Sequence, residues 1–207
     1  MAPANHALSL PPLSLRHEFV RKALHLVAAA FPVAYSLGVE RIVLVWILAG
    51  TSTIALLIEG LRRTNSALGT AFERAFGVLT RQHERQSLTG ATWLALSCLV
   101  AVLVLPRGAA IAALWCATVG DPAAAIVGRA LTQNRENSAA VASRKTLAGS
   151  LACAAASFVG VWALAGYPPV VAVTIAVTAA AAEALPSRID DNVRVVGATA
   201  VIARLLA

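Results

Sequence analysis

Four short stretches of this sequence hold side chains whose types and spacing suit chemistry. The first is Glu18, Arg21, Lys22 and His25. Their spacing puts all four on one helix face, with Glu18 within reach of Arg21 or Lys22 and His25 one turn further on. The second is Thr118-Val119-Gly120-Asp121-Pro122, continuing to Gly128-Arg129, inside an otherwise apolar run. Pro122 cannot continue a preceding helix without losing a hydrogen bond. Proline suits the first position of a new helix, and aspartate suits its cap. The run therefore predicts a helix broken at Gly120-Asp121-Pro122, and a carboxylate at such a break suits a divalent cation. The third is Arg144-Lys145-Thr146 with Gly149-Ser150. It sets two cations and a hydroxyl at a helix N-terminus, where free N–H groups and the helix dipole favour an anion such as phosphate. Its glycine and lysine spacing is not that of a Walker loop. The fourth is Glu183 followed by Asp190, Asp191 and Asn192, oxygen ligands of the kind a hard cation takes.

Each stretch also has a plainer reading. Arg21 and Lys22 serve equally as anchors at a membrane surface. Gly120-Asp121-Pro122 serves as a kink with a structural cap. Basic residues before a span set topology, and Asp190 to Asn192 serve as a solvated turn with an N-cap. Taken together, the four point to phosphoryl-group chemistry on a membrane lipid without choosing the reaction.

The elements that must position these residues are helices. Of the 207 residues, 58% are hydrophobic and only 13% charged, with a mean hydropathy of +0.74. A soluble domain carries roughly 25% charged residues. The expected fold is all-α: a polytopic integral membrane bundle of about seven transmembrane helices, each needing roughly 20 apolar residues. The apolar runs fall at 19–38, 41–60, 90–106, 108–127, 147–165, 168–185 and 193–206, the last of them short. Residues 1–15 form a proline-containing tail and 16–207 a single catalytic domain. The alanine-rich runs favour close helix packing. Charged residues interrupt the first apolar run, so no cleavable signal peptide is expected. Cys98, Cys116 and Cys153 sit singly in apolar runs and read as buried small hydrophobes.

A net charge of +7 here implies anionic lipid or nucleotide rather than nucleic acid. With the N-terminus inside, fourteen of the 17 Lys and Arg residues lie in inside segments; Arg41, Arg107 and Arg204 lie outside. That asymmetry orients the chain with a cytoplasmic N-terminus, in a cell inner membrane. Two longer inside segments result, 61–89 and 128–146. Within the first, residues 68–79 are amphipathic and suit a helix lying at the interface.

The ordered set of motifs resembles the dolichol kinase and phytol kinase family, which includes CTP-dependent diacylglycerol kinases and is distantly similar to phosphatidate cytidylyltransferases. The resemblance runs from about residue 16 to 196. It rests on Glu18-x-x-Arg21-Lys22-x-x-His25; Glu59-x-x-Arg62; Glu84 with Thr89-Gly90-Ala91-Thr92; Gly120-Asp121-x-x-Ala124-x-x-x-Gly128-Arg129; Lys145-Thr146-x-x-Gly149-Ser150; Glu183; and Asp190-Asp191-Asn192. Position 146 is Thr where Ser is common, and the chain is short for the family. The resemblance implies a membrane enzyme that uses CTP and Mg²⁺ to phosphorylate a lipid alcohol of the polyprenol, phytol or diacylglycerol type. It implies that Asp121, Lys145 and Asp190-Asp191 belong to the active site.

On that basis Asp121, Asp190, Asp191 and Asn192 are the expected metal ligands. Lys145, Arg144, Arg129, Gly120, Thr146, Gly149 and Ser150 are expected around the nucleotide, with Lys22 or Arg21 on the transferring phosphoryl group. Asp121, Glu183 and His25 are the candidates for the base. A cytidylyltransferase remains the alternative, although no Lys-Asp…Asp-Arg signature stands near the C-terminus. A small transporter is the third reading; it calls for paired broken helices, and only one Gly-Asp-Pro stands in this sequence.

Overall fold

The structure, a computed structural model, describes residues 22–63, 67, 70, 87–132, 145–187 and 189–207. Among these residues every regular element is a helix. A helical stretch over 22–27 leads through a turn into α1 (Ala30–Ser36). Then follow α2 (Arg41–Arg63), α3 (Gly90–Val104), α4 (Arg107–Trp115), a π-helical turn (Cys116–Gly120), α5 (Asp121–Thr132), α6 (Leu147–Ala163), α7 (Pro169–Ala184) and α8 (Asp191–Leu205). The connections are short and chemically marked. Gly38 and Gly166 take positive φ angles of 108° and 76°, where a side chain would be strained. Leu105 and Leu185, each before a proline, are extended, as the proline ring requires of its predecessor.

Helices occupy all seven predicted stretches. Two described helices, Arg41–Arg63 and Arg107–Leu131, are long and apolar enough to cross a membrane. Gly90–Val104, Leu147–Ala163 and Pro169–Ala184 are apolar but shorter. At 1.5 Å per residue such helices reach about 25 Å, against a hydrocarbon core of about 30 Å. The two long helices differ in setting. The Arg107–Leu131 helix runs through the middle, with Ala109 to Leu114 all buried. Helices α6 and α8 pack on it, α7 packs on both of those, and α3 packs between α2 and α8. The Arg41–Arg63 helix lies at the rim: 22% of its most apolar window is buried, against 67% for the central helix. Trp46, Ile54 and Leu57 on it face outward.

The expected break at Gly120-Asp121-Pro122 does not occur. The helix is continuous from Arg107 to Leu131, and Asp121 is helical rather than a cap. The chain passes Pro122 by widening. The Asp121 N–H donates to the Cys116 carbonyl, five residues back, so the turn before the proline is a π-bulge. The extra residue relieves the clash that a proline ring makes with the carbonyl four positions earlier. The Thr118 hydroxyl donates to the Leu114 carbonyl at 2.8 Å and supplies it with a partner inside the buried turn. Nor does Arg129 lie in a loop; it stands in the last turn of α5. The predicted interfacial helix over 68–79 lies outside the described residues except for Thr70, as does most of the loop before Lys145.

Candidate functional site

With Arg107–Leu131 counted as one helix, successive helices alternate in direction, so the N-termini of α3, α6 and α8 gather at one end with the C-termini of α2 and α7. The Lys22–His25 turn and the start of α5 face the same region. Lys22, His25 and Asp121 are all buried, at 4%, 4% and 2% exposure. The Lys22 ammonium donates to Asp121 Oδ2, and His25 Nδ1 stands 3.8 Å from the same oxygen. The π-bulge sets the rotation of Asp121 about the helix axis, directing its carboxylate toward the 22–25 turn.

A second group adjoins the first. The Lys145 ammonium, directly before α6, donates to the buried Glu183 carboxylate at the end of α7. It lies 3.7 Å from Asp191 at the start of α8. Arg194 donates to Asp191 and to the Glu183 carbonyl at 3.3 Å. Burial pulls the Lys145 ammonium toward deprotonation. The negative charges of Asp191 and Glu183, with Asp121 further off, outweigh it and hold Lys145 above the ordinary lysine value. Charges from 22–25, α5, the start of α6, α7 and α8 thus form one network.

Several expected contributors have other work. Asp190 caps α8, accepting from the Asn192 N–H at 2.9 Å. The Asn192 side chain donates to the Gly90 carbonyl at 3.0 Å and joins α8 to α3. The predicted metal set of Asp121, Asp190, Asp191 and Asn192 is therefore not gathered. Among the described residues no three His, Cys, Asp or Glu side chains converge to hold a metal ion. Each carboxylate has instead found a cation or an N–H nearer by.

The predicted phosphate cradle changes in the same way. Thr146 caps α6 by accepting from the Gly149 N–H at 3.1 Å. A Cβ on Gly149 would come 2.7 Å from the Ala124 carbonyl. Its missing side chain lets α6 approach α5 and does not open the backbone to an anion. Gly120 packs equally closely on Ser157 and Cys153, so it too serves packing. Ser150 is half-buried in the first turn of α6. Arg129 is half-buried near the end of α5. Glu18, Arg21 and Arg144 lie outside the described residues.

Two sets of charged contacts escaped the sequence reading. Arg194 counted there only as an inside arginine, although its spacing from Asp191 is that of an intrahelical ion pair. Glu59 and Arg62 stood in a motif without a role. In the structure Glu59 is buried and Arg62 donates to it at 2.7 Å. Glu59 also accepts from the Thr89 N–H at 2.8 Å and the Thr92 hydroxyl at 3.2 Å. It caps the N-terminus of α3 from a neighbouring helix.

The arrangement sets carboxylates beside ammonium and guanidinium groups. Carboxylates suit a hard cation and ammonium groups suit phosphates. A nucleotide carrying a divalent ion offers both at once. Compared with known proteins, the chain matches no family model, no curated protein and no solved structure.

Proposed function

We propose that this chain is an integral membrane enzyme that transfers the terminal phosphate of CTP to a lipid alcohol. The reaction takes place at the cytoplasmic face of a cell inner membrane, on which the N-terminus lies. The observation that carries the reading is the set of ion pairs in which buried Lys22, His25, Asp121 and Glu183 are joined by the more exposed Lys145, Asp191 and Arg194. Ionisable groups in such surroundings are costly and are kept mainly where they act. The outward Trp46, Ile54, Leu57 and Val170 side chains support a bundle solvated by lipid.

Phosphoryl transfer needs positioning and charge neutralisation more than covalent chemistry. Lys145 and Lys22 bind the phosphates, and Lys22 lies nearest the group in transit. Arg129 and Arg144 assist from the ends of the segment joining α5 to α6. Asp121 and Asp191 carry the oxygen donors that Mg²⁺ takes; on giving up their ion pairs with Lys22, Arg194 and Lys145 they would hold the ion, which would neutralise the triphosphate. Asp121, Glu183 or His25 accepts the proton of the lipid hydroxyl.

The test is the native protein in phosphatidylcholine vesicles, incubated with terminally labelled CTP and phytol, a polyprenol or diacylglycerol. Label in the lipid fraction with stoichiometric CDP is expected. Pyrophosphate and a CDP-lipid formed from phosphatidic acid would replace this reading with a cytidylyltransferase. The absence of both products would sink it.

A further inference from the structure

Helices α3 and α8 touch at the charged end, where Asn192 donates to the Gly90 carbonyl, and then part. Between them lies a groove of about 280 Å³, open along one side. On α3 it is lined by Trp93, Val100 and Val104, and on α8 by Val193, Gly197 and Ala200. These positions recur at the three- and four-residue spacing that keeps one helix face in line. A Cβ on Gly197 would meet nothing within 4 Å, so this glycine widens the groove and packs on no neighbour. From Trp93 to Val104 the groove runs about 16 Å at the rise of an α-helix. That is about half the hydrocarbon thickness of a bilayer, the depth of one leaflet.

We infer that this groove holds the single hydrocarbon chain of the lipid alcohol, with the hydroxyl toward the charged end. The inference rests on the lipid-alcohol reading above and narrows it. Ser97 is the one polar side chain in the lining, and no charge lies along it. The charges lie beyond its Trp93–Val193 end, where Asp191 and Arg194 stand on the same helix as Val193. An occupant must therefore be apolar along its length and polar at one tip. The volume falls just below the range of roughly 300–1,000 Å³ typical of small-molecule pockets. A volume of that size matches one chain better than two, which favours an isoprenoid or other single-chain alcohol over diacylglycerol.

Trp93 reports occupancy directly. The probes are octadecanol brominated on the carbons nearest its hydroxyl and a diacylglycerol brominated on the acyl carbons nearest its glycerol, each added to phosphatidylcholine vesicles holding the native protein. Bromine quenches tryptophan on contact. We expect a saturable component of quenching with the brominated alcohol. It should vanish in Trp93→Phe and in Gly197→Leu, where the new side chain fills the open space. The diacylglycerol should give only quenching that rises linearly with its concentration. A linear response to the alcohol, or a saturable one that Gly197→Leu leaves intact, reduces the groove to bulk lipid contact and overturns the inference. Saturable quenching by the diacylglycerol overturns its single-chain limit. In the transfer assay, Gly197→Leu should lower turnover of octadecanol at least about tenfold and spare a short-chain alcohol. Equal losses on both also count against the groove. If the native protein transfers to no alcohol while the quenching stands, the kinase reading fails and the chain site survives.

Discussion

The two ends of the bundle use polar side chains for opposite purposes. At the end away from the site, Arg41 donates to the Leu103 carbonyl and Arg107 to the Tyr35 carbonyl. The Tyr167 hydroxyl donates to the Ala203 carbonyl at 2.8 Å. All three carbonyls belong to the last turns of helices α3, α1 and α8, where the regular helical ladder ends, and the Tyr35 carbonyl also accepts from the Gly38 N–H at 3.3 Å. The needs of the backbone explain that end completely. At the other end Lys22 meets Asp121, and Lys145 meets Glu183 and Asp191. These contacts cap nothing. Lys22 and Asp121 are both buried, and removing two ions from water costs several kcal/mol each, so a contact with no backbone duty and that cost points to function.

The sharpest way to break this comparison is Asp121→Asn. It leaves Lys22 buried without its carboxylate, and one-sided loss of a buried pair costs about 3–5 kcal/mol. Phosphate transfer from CTP should fall below detection. Thermal melting in detergent should drop by an amount consistent with that cost. The double change Lys22→Met with Asp121→Leu removes both charges and should recover most of the stability while transfer stays absent. Recovery of activity along with stability would make the pair structural and erase the contrast between the ends.

Glu59→Gln sharpens the comparison, because Glu59 sits at the charged end yet serves the backbone. Its loss weakens the bond to Arg62 and the cap on α3, an expected cost of about 2–3 kcal/mol. Turnover per folded molecule should stay near that of the native protein, as measured by activity normalised to the folded fraction. A loss of turnover at unchanged folded fraction would move Glu59 into the site.

Lys145→Met should behave in the reverse sense. The side chain is 41% exposed, so its pairs contribute at most about 1 kcal/mol to stability. Transfer should nonetheless fall about 100-fold, or about 2.7 kcal/mol of transition-state stabilisation. The titration has a definite sign. Glu183 and Asp191 hold the ammonium above its ordinary value of 10.5. Its contribution is complete below that pH and is lost as pH rises through the elevated value. Melting curves across the alkaline range should therefore show a flatter decline for Lys145→Met than for the native protein. Parallel declines would dissociate Lys145 from its two carboxylates.

Most of the fold was legible because membrane-compatible helices are written as long apolar runs between proline, glycine and charge. The helix starts at Arg41, Gly90 and Leu147 fall at the predicted positions. The course of the chain past Pro122 was not legible. Proline and aspartate have the same local preferences at a broken helix and after a π-bulge, and the close packing of Gly120 on Ser157 and Cys153 is a tertiary contact that local preference does not reveal. Residue identities placed Lys145, Glu183 and Asp121 at one end. They could not say that each carboxylate would take a cation from another element, because such pairing depends on helix rotation. Asp190 shows the limit most clearly: its plain reading as a cap is the one the structure bears out.

The smallest expected effects come from the end that serves only the backbone. Tyr167→Phe removes a single hydrogen bond to the Ala203 carbonyl, and Arg107→Gln removes a bond together with a guanidinium 5.2 Å from the Tyr35 ring centroid. Burial raises the Tyr167 phenol, and Arg204 offsets this only in part, so the hydroxyl remains a neutral donor throughout the pH range of any assay. Each change should lower stability by about 1 kcal/mol and leave transfer from CTP unaltered. Both are read in the melting and transfer assays used for Asp121→Asn. A drop in turnover beyond the loss of folded protein would mean that the Tyr167–Ala203 contact positions α8, and with it Asp191 and Arg194 at the opposite end. The two ends would then be one mechanical unit, and the division between backbone duty and chemical duty would have to be drawn through α8 itself.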